Sequence, residues 1–311
     1  MKLLLYYIIS LFTLLLFGCA KSSIHVYNTE MLPRIANHII LIGLDGFNFE
    51  KDYNLSNYIN INDLILKGAY TFHKRSVIPS SSAINWASTL MGVPPEMHGY
   101  TEWGSKTPEV PSAKINENGI FPTVFSLCRN QFPFEETGCM FEWSGIKYLI
   151  DTLSISFVKQ LNPDVDSIES NVEIICQYLQ QKKPFFFFCQ IDGIDHTGHS
   201  NGWYSEEYYS YVARVDHCIG LIVQSLKNAG IYDNTIIIIV SDHGGHSNNH
   251  GTVNLLDMES PLIICGKGIK NGYIIQEPVV QYDIAPTIAY ILGLKPYSFW
   301  RGKVISEIFQ K

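Results

Sequence analysis

A chain of 311 residues, 46% hydrophobic and 16% charged, can fill one large core or two smaller ones, which excludes a disordered or fibrous protein. Its formal charge of -7, its pI near 5.8 and the lack of a Lys/Arg cluster exclude a nucleic-acid backbone as partner.

Met1-Lys2 and the apolar run from Leu3 to Phe17 read as the charged and hydrophobic parts of a signal peptide spanning residues 1–18. The run is shorter than the ~20 apolar residues a spanning helix needs. It ends in Leu16-Phe17-Gly18-Cys19-Ala20, which resembles a lipobox. That resemblance implies export to the cell envelope, with a lipid anchor at Cys19 holding the protein to a membrane. Residues 19–35 form a polar tether, and a single folded domain is expected over 36–311. The six remaining cysteines include no CxxC pair, which argues against a structural zinc knot. Most sit in apolar runs as buried thiols, while Cys128 and Cys139 could pair in an oxidising compartment.

His38 to Leu44 predicts a buried strand, closed by Asp45-Gly46. A helix over 57–67 and a strand over 69–75 follow, and then Pro79-Ser80-Ser81-Ser82 precedes a helical run. Serines there serve either as caps or, facing an anion at a helix N-terminus, as a nucleophile. Pro94 to Pro111 reads as an ordered loop, 121–132 resumes helical spacing, and 133–162 has no clear pattern. A helix over 164–182 feeds the strand 184–191, which opens into Asp192-Gly193-Ile194-Asp195-His196-Thr197-Gly198-His199. A long helix over 205–229 carries Asp216, a structural carboxylate. The β-branched run Ile236 to Val240 then breaks into Ser241-Asp242-His243-Gly244-Gly245-His246, with His250-Gly251 just beyond. The two glycines there suggest a sharp backbone turn. A strand over 261–265 and a helix over 282–292 complete the alternation. The pattern predicts an α/β fold: a central, mostly parallel sheet with helices on both faces.

Three predicted strand ends thus carry Asp45, the Asp195/His199 pair and the Asp242/His243 pair, with His250 close behind. Open α/β sheets place ligands at such ends. Mixed carboxylate and imidazole donors suit Zn²⁺ or a similar divalent ion, and six such side chains are enough for two ions.

The order and spacing of these motifs, with Pro95-Glu96-Met97-His98-Gly99 and Tyr282-Asp283-Ile284-Ala285-Pro286-Thr287, resemble the alkaline phosphatase superfamily. The nearest branch is its type I phosphodiesterase/nucleotide pyrophosphatase group. The resemblance implies an alkaline phosphatase-like fold and two divalent ions, zinc foremost. It implies Asp45, Ser82, Asp242 and His243 on one ion, and Asp195, His199 and His250 on the other. Ser82 takes the nucleophile's position, and His196 and His246 fall outside the pattern. The implied activity is hydrolysis of a small-molecule phosphoric ester, monoester or diester, through a phosphoseryl intermediate. Two departures put nucleotide diesters in doubt: serine replaces the branch's usual threonine, and Trp103 stands where a phosphate-binding asparagine is expected. The alternatives are a phosphotransferase, a sulfatase and a non-catalytic binding protein on this fold. The sulfatase is disfavoured because Ser82-Ala83-Ile84-Asn85-Trp86 lacks a C/S-x-P-x-R context.

Overall fold

Alternate residues of each central strand go to opposite faces, so a strand apolar at every position must be covered on both. On β1 (His38–Leu44), Ile39 and Leu41 join one buried cluster while Ile40, Ile42 and Leu44 join a second. The computed structural model describes residues 32–49 and 55–310. The predicted signal peptide, Cys19 and most of the tether lie outside the described residues.

The elements that follow β1 are α1 (Ile59–Leu66), β2 (Gly68–Arg75), α2 (Ser82–Met91), α3 (Val124–Gln131), β3 (Thr137–Phe141) and β4 (Phe157–Gln160). Then come α4 (Ile168–Lys182), β5 (Phe186–Ile191), α5 (Gly193–Asn201), α6 (Glu206–Asn228), β6 (Thr235–Val240), β7 (Glu259–Gly266), β8 (Tyr273–Ile274) and α7 (Ile284–Ile291). They build one eight-stranded sheet in the order β4-β3-β5-β1-β6-β7-β2-β8. Only β7 runs against its neighbours, pairing antiparallel with both β6 and β2. Helices α2, α3 and α7 cover one face and α1, α4 and α6 the other. This is the α/β architecture that the alternation of elements predicts.

Two segments gain elements. The segment after β5, to which the sequence pattern assigns no element, is the helix α5. Its apolar period is broken by glycines that packing demands: a Cβ on Gly193 would collide with the Tyr211 hydroxyl, and one on Gly198 with the Trp203 ring. The patternless stretch 133–162 holds β3 and β4, too short to show alternation. Cys128 and Cys139 are both free and buried, so they form no disulfide. At the start of the body, Ile35 donates its N–H to Ile291, and Arg34 stacks over Phe132 and Phe185.

Because β1, β3, β5 and β6 are parallel, their carboxyl ends lie along one edge. Asp45, Glu142, Asp192 and Asp242 follow those strands directly or within a residue.

Candidate metal centre

Asp45 extends the ladder of β1, its N–H donating to Ile191 at 2.9 Å, and its side chain is 1% exposed. One carboxylate oxygen, Oδ2, accepts the indole N–H of Trp86 at 2.8 Å and the amide of Gln190 at 2.9 Å. The other, Oδ1, lies 3.3 Å from Ser82 Oγ and 3.5 Å from His243 Nε2. Trp86 is one helical turn beyond Ser82, so α2 carries both the hydroxyl and the clamp on its neighbouring carboxylate. Gly43 of β1 makes room for that indole, since an added Cβ would lie 2.5 Å from the ring.

Ser82 opens α2 and stands 3.3 Å from His243 Nε2. Ser81 is the N-cap but its side chain makes no capping bond, and Ser80 Oγ donates to Thr252 O at 2.7 Å. The loop beneath is fastened by Asn85, whose side chain accepts from Val77 N at 2.7 Å and donates to Pro79 O and Ser81 O. Trp103 comes beside the nucleophile through its backbone: its carbonyl accepts Ala83 N at 3.2 Å, while its side chain is 67% exposed.

The histidines share one arrangement. His199 Nδ1 lies 2.9 Å from Asn248 O, His243 Nδ1 2.7 Å from Gly244 O, and His250 Nδ1 3.0 Å from Ser80 O. A carbonyl only accepts, so each Nδ1 carries the proton and each Nε2 keeps a lone pair. Those Nε2 atoms approach carboxylates: His199 lies 3.4 Å and His250 3.6 Å from Asp195, and His243 lies 3.2 Å from Asp242. Backbone bracing of the far nitrogen is the usual support of a metal-ligating histidine. His98 shows the contrast. Its Nδ1 accepts from Tyr100 N and its Nε2 faces Ser88 Oγ, the arrangement of a structural imidazole.

Donor atoms of Asp195, His199 and His250 lie within 4.8 Å of one another, as do those of Asp45, Asp195 and His243. The structure therefore brings together all six predicted side chains and Ser82. Asp195 stands between the two groups instead of on one side. His196 is exposed, and His246 bonds Asp257 at 2.6 Å, outside both groups. Asp257 in turn accepts from Thr252, bracing the loop that holds His250.

The electrostatics fit a cation. Burial, then the Asp242 charge, pushes the Asp45 carboxyl well up, and burial with Asp45, Asp192 and Asp242 does the same to Asp195. Burial raises Asp242 to about 7 and lowers His243 to about 4 and His250 to about 3. Crowded, buried carboxylates beside neutral imidazoles are unfavourable for anions and favourable for divalent ions, which take the place of the protons these carboxyls would otherwise hold. Asp195 Oδ1 and Asp242 Oδ2, buried with no hydrogen-bond partner, are the acceptors such ions would satisfy.

Several participants escaped the sequence reading. Gln190 bridges Asp45 and Asp192, and Glu142 accepts Asp192 N at 2.7 Å. Gln190 had a signal: it is a polar residue inside the apolar strand run from Phe185 to Ile191. Asp216, read as structural, is so: it accepts the backbone N–H groups of Asn60 and Ile61 at the start of α1. Gly244 and Gly245 have no left-handed backbone; they are needed because Leu256 O and the Trp203 ring pack against them.

An α/β protein with a paired Asp/His centre at the carboxyl edge of its sheet is the class so defined. Residues 39–263 match the type I phosphodiesterase/nucleotide pyrophosphatase family, and the chain belongs to it. Ectonucleotide pyrophosphatase/phosphodiesterase family member 1 of Rattus norvegicus is 26% identical over 217 residues, covering 66% of this chain and 24% of that protein. The chain thus spans about a quarter of the length of such relatives. Murine ectonucleotide pyrophosphatase/phosphodiesterase 5 superposes with a TM-score of 0.67 at 17% identity, covering 88% of this chain and 100% of that one. A 2-O GAG sulfatase superposes with a TM-score of 0.64 at 15% identity over 86% of this chain and 73% of its own. These two likenesses concern the fold.

Proposed function

We propose that this protein is an exported two-metal hydrolase of small phosphoric esters, with Ser82 as nucleophile. The reading is carried by the three histidines whose Nδ1–H is fixed by a carbonyl and whose Nε2 faces the carboxylates of Asp195 and Asp242, each with one buried, unpartnered oxygen. Asp45, Ser82, Asp242 and His243 would hold one ion, and Asp195, His199 and His250 the other. Nitrogen and oxygen donors in this mixture favour zinc. When bound, such ions supply Lewis-acid neutralisation of charge and ease ionisation of a hydroxyl.

The chain's own groups do the rest. Asn85 fixes the loop under Ser82, and the N-terminus of α2 adds positive potential where the phosphoryl group sits. Ser82 Oγ forms a bond to phosphorus as the bond to the leaving oxygen breaks, and the hydroxyl proton ends on the departing alcohol. Water then attacks the phosphoseryl ester and returns a proton to Oγ. Trp86 and Gln190 keep Asp45 Oδ1 turned to the reaction by occupying Oδ2. Trp103, in the place of a phosphate-binding amide, offers an exposed indole face to the organic part of the substrate.

Replacing Ser82 by Ala and assaying p-nitrophenyl phosphate and bis(p-nitrophenyl) phosphate tests this. A fall in kcat of at least ~10³-fold is expected, in line with loss of an activated nucleophile. Unaltered turnover excludes Ser82. The ratio of the two substrates assigns monoester or diester preference, and product analysis with an added alcohol separates hydrolysis from phosphotransfer.

A further inference from the structure

Residues of the segments 100–108, 118–120 and 147–153 line a cavity of about 240 Å³. The last segment leaves the carboxyl end of β3, so the cavity lies on the same edge of the sheet as the metal centre. Tyr100 joins the first and last segments by donating its hydroxyl to Tyr148 O at 2.9 Å. Glu109 braces the first, accepting Thr101 N at 2.8 Å with Ser105 Oγ also 2.8 Å away.

The cavity is electrostatically incomplete. Its floor carries Asp151, 2% exposed, whose carboxylate accepts from Asn116, Asn118, Ser126 and Ser154. Burial pushes that carboxyl up, but these bonds outweigh it and hold it below the usual carboxylate range. Asp151 is thus already satisfied within the fold. At the mouth, the ammonium groups of Lys106 and Lys147 lie 5.9 Å and 4.9 Å from the centre of one ring, that of Tyr148. Neither has a carboxylate partner among the described residues, whereas Lys67 and Arg214 do. Two ammonium groups beside one cavity, neither paired with a carboxylate among the described residues, favour an anion there.

The cavity is also close to the chemistry. Trp103 O is bonded to Ala83 N, next to Ser82. Lys106 is three residues further, so its Cα lies within about 11 Å of Trp103 Cα, the limit of an extended chain.

We infer that this cavity is a subsite for a second anionic group on the organic part of the substrate, a carboxylate, sulfate or phosphate reached past Trp103. The inference rests on the phosphoric ester reading above and names a substrate class for it: esters carrying a remote negative charge.

Two probes test it by calorimetry on the zinc-loaded protein: phenylphosphonate, and a phenylphosphonate bearing a carboxylate on a flexible chain. The carboxylated probe is expected to bind at least about tenfold tighter, the worth of one charge-assisted contact. In the Lys106→Ala/Lys147→Ala double variant the two probes should bind alike. Both lysines are exposed, so their truncation leaves the core intact. Equal binding of both probes to the unaltered protein, or an advantage that survives in the double variant, overturns the subsite. Hydrolysis of bis(p-nitrophenyl) phosphate, which has no remote charge, reports the metal centre separately. Absence of this activity together with absence of p-nitrophenyl phosphate hydrolysis in the unaltered protein refutes the hydrolase reading, while an unchanged rate in the double variant confines the effect to the cavity.

Discussion

Trp86→Phe removes one N–H from the metal centre and leaves most of the ring that fills the space over Gly43. In the native protein Asp45 Oδ2 is held by that N–H at 2.8 Å and by Gln190 at 2.9 Å, and Trp86 is fully buried. A hydrogen bond to a buried charged group contributes about 1.5–3 kcal/mol. Gln190 still holds the carboxylate, so the lower end applies, and ~1.4 kcal/mol corresponds to tenfold in affinity. The same size is usual for losing an outer partner of a metal ligand, ~10- to 100-fold. Zinc affinity, measured by competition with a chromogenic chelator, is therefore expected to fall about tenfold for the ion beside Ser82. The smaller ring also costs packing, which a melting curve reports on its own. A variant that is folded at the assay temperature but binds zinc within twofold of the native protein refutes the clamp.

Other outcomes follow from the same geometry. His250→Ala should abolish turnover while His246→Ala, which loses only the Asp257 brace, keeps most of it; equal losses would mean the wrong histidine was assigned. Zinc affinity should rise as the pH is raised through about 7. Burial lifts Asp242 to about 7, so below that pH the ion must displace a proton, whereas His243, held at about 4, titrates too low to contribute. An affinity independent of pH between 5 and 7 contradicts this. The lipobox resemblance of Leu16-Phe17-Gly18-Cys19-Ala20, rather than any geometry, predicts that Cys19→Ala releases the protein from membranes and abolishes incorporation of labelled palmitate. A variant that stays membrane-bound and labelled removes Cys19 as the anchor.

What the sequence shows and what it conceals divide along physical lines. Strands β1, β5 and β6 are buried on both faces, so they read as unbroken apolar runs, and the polar residues at their ends read as a site. Asp195 and His199 were legible as chemistry, but their helix was not, because Gly193 and Gly198 answer to Tyr211 and Trp203 and break the helical period. The division of ligands is blurred by Asp195, whose position between both groups depends on how α5 docks. The Nδ1 partners of His199 and His250 are carbonyls of Asn248 and Ser80, 49 and 170 residues away, and no local pattern encodes them. Trp86 resembles any core aromatic until Asp45 is placed beside its N–H. The cavity at Lys106 and Lys147 lies in stretches without periodicity, which only the folded chain brings together.

The central claim is that Ser82 carries the phosphoryl group. Mass spectrometry of protein quenched in acid during turnover of bis(p-nitrophenyl) phosphate tests it most directly. One added p-nitrophenylphosphoryl group is expected on the peptide containing Ser82, because displacement of one p-nitrophenol leaves the second ester bond intact, and it is absent after Ser82→Ala. Turnover with no modified peptide, or the group on another residue, contradicts it.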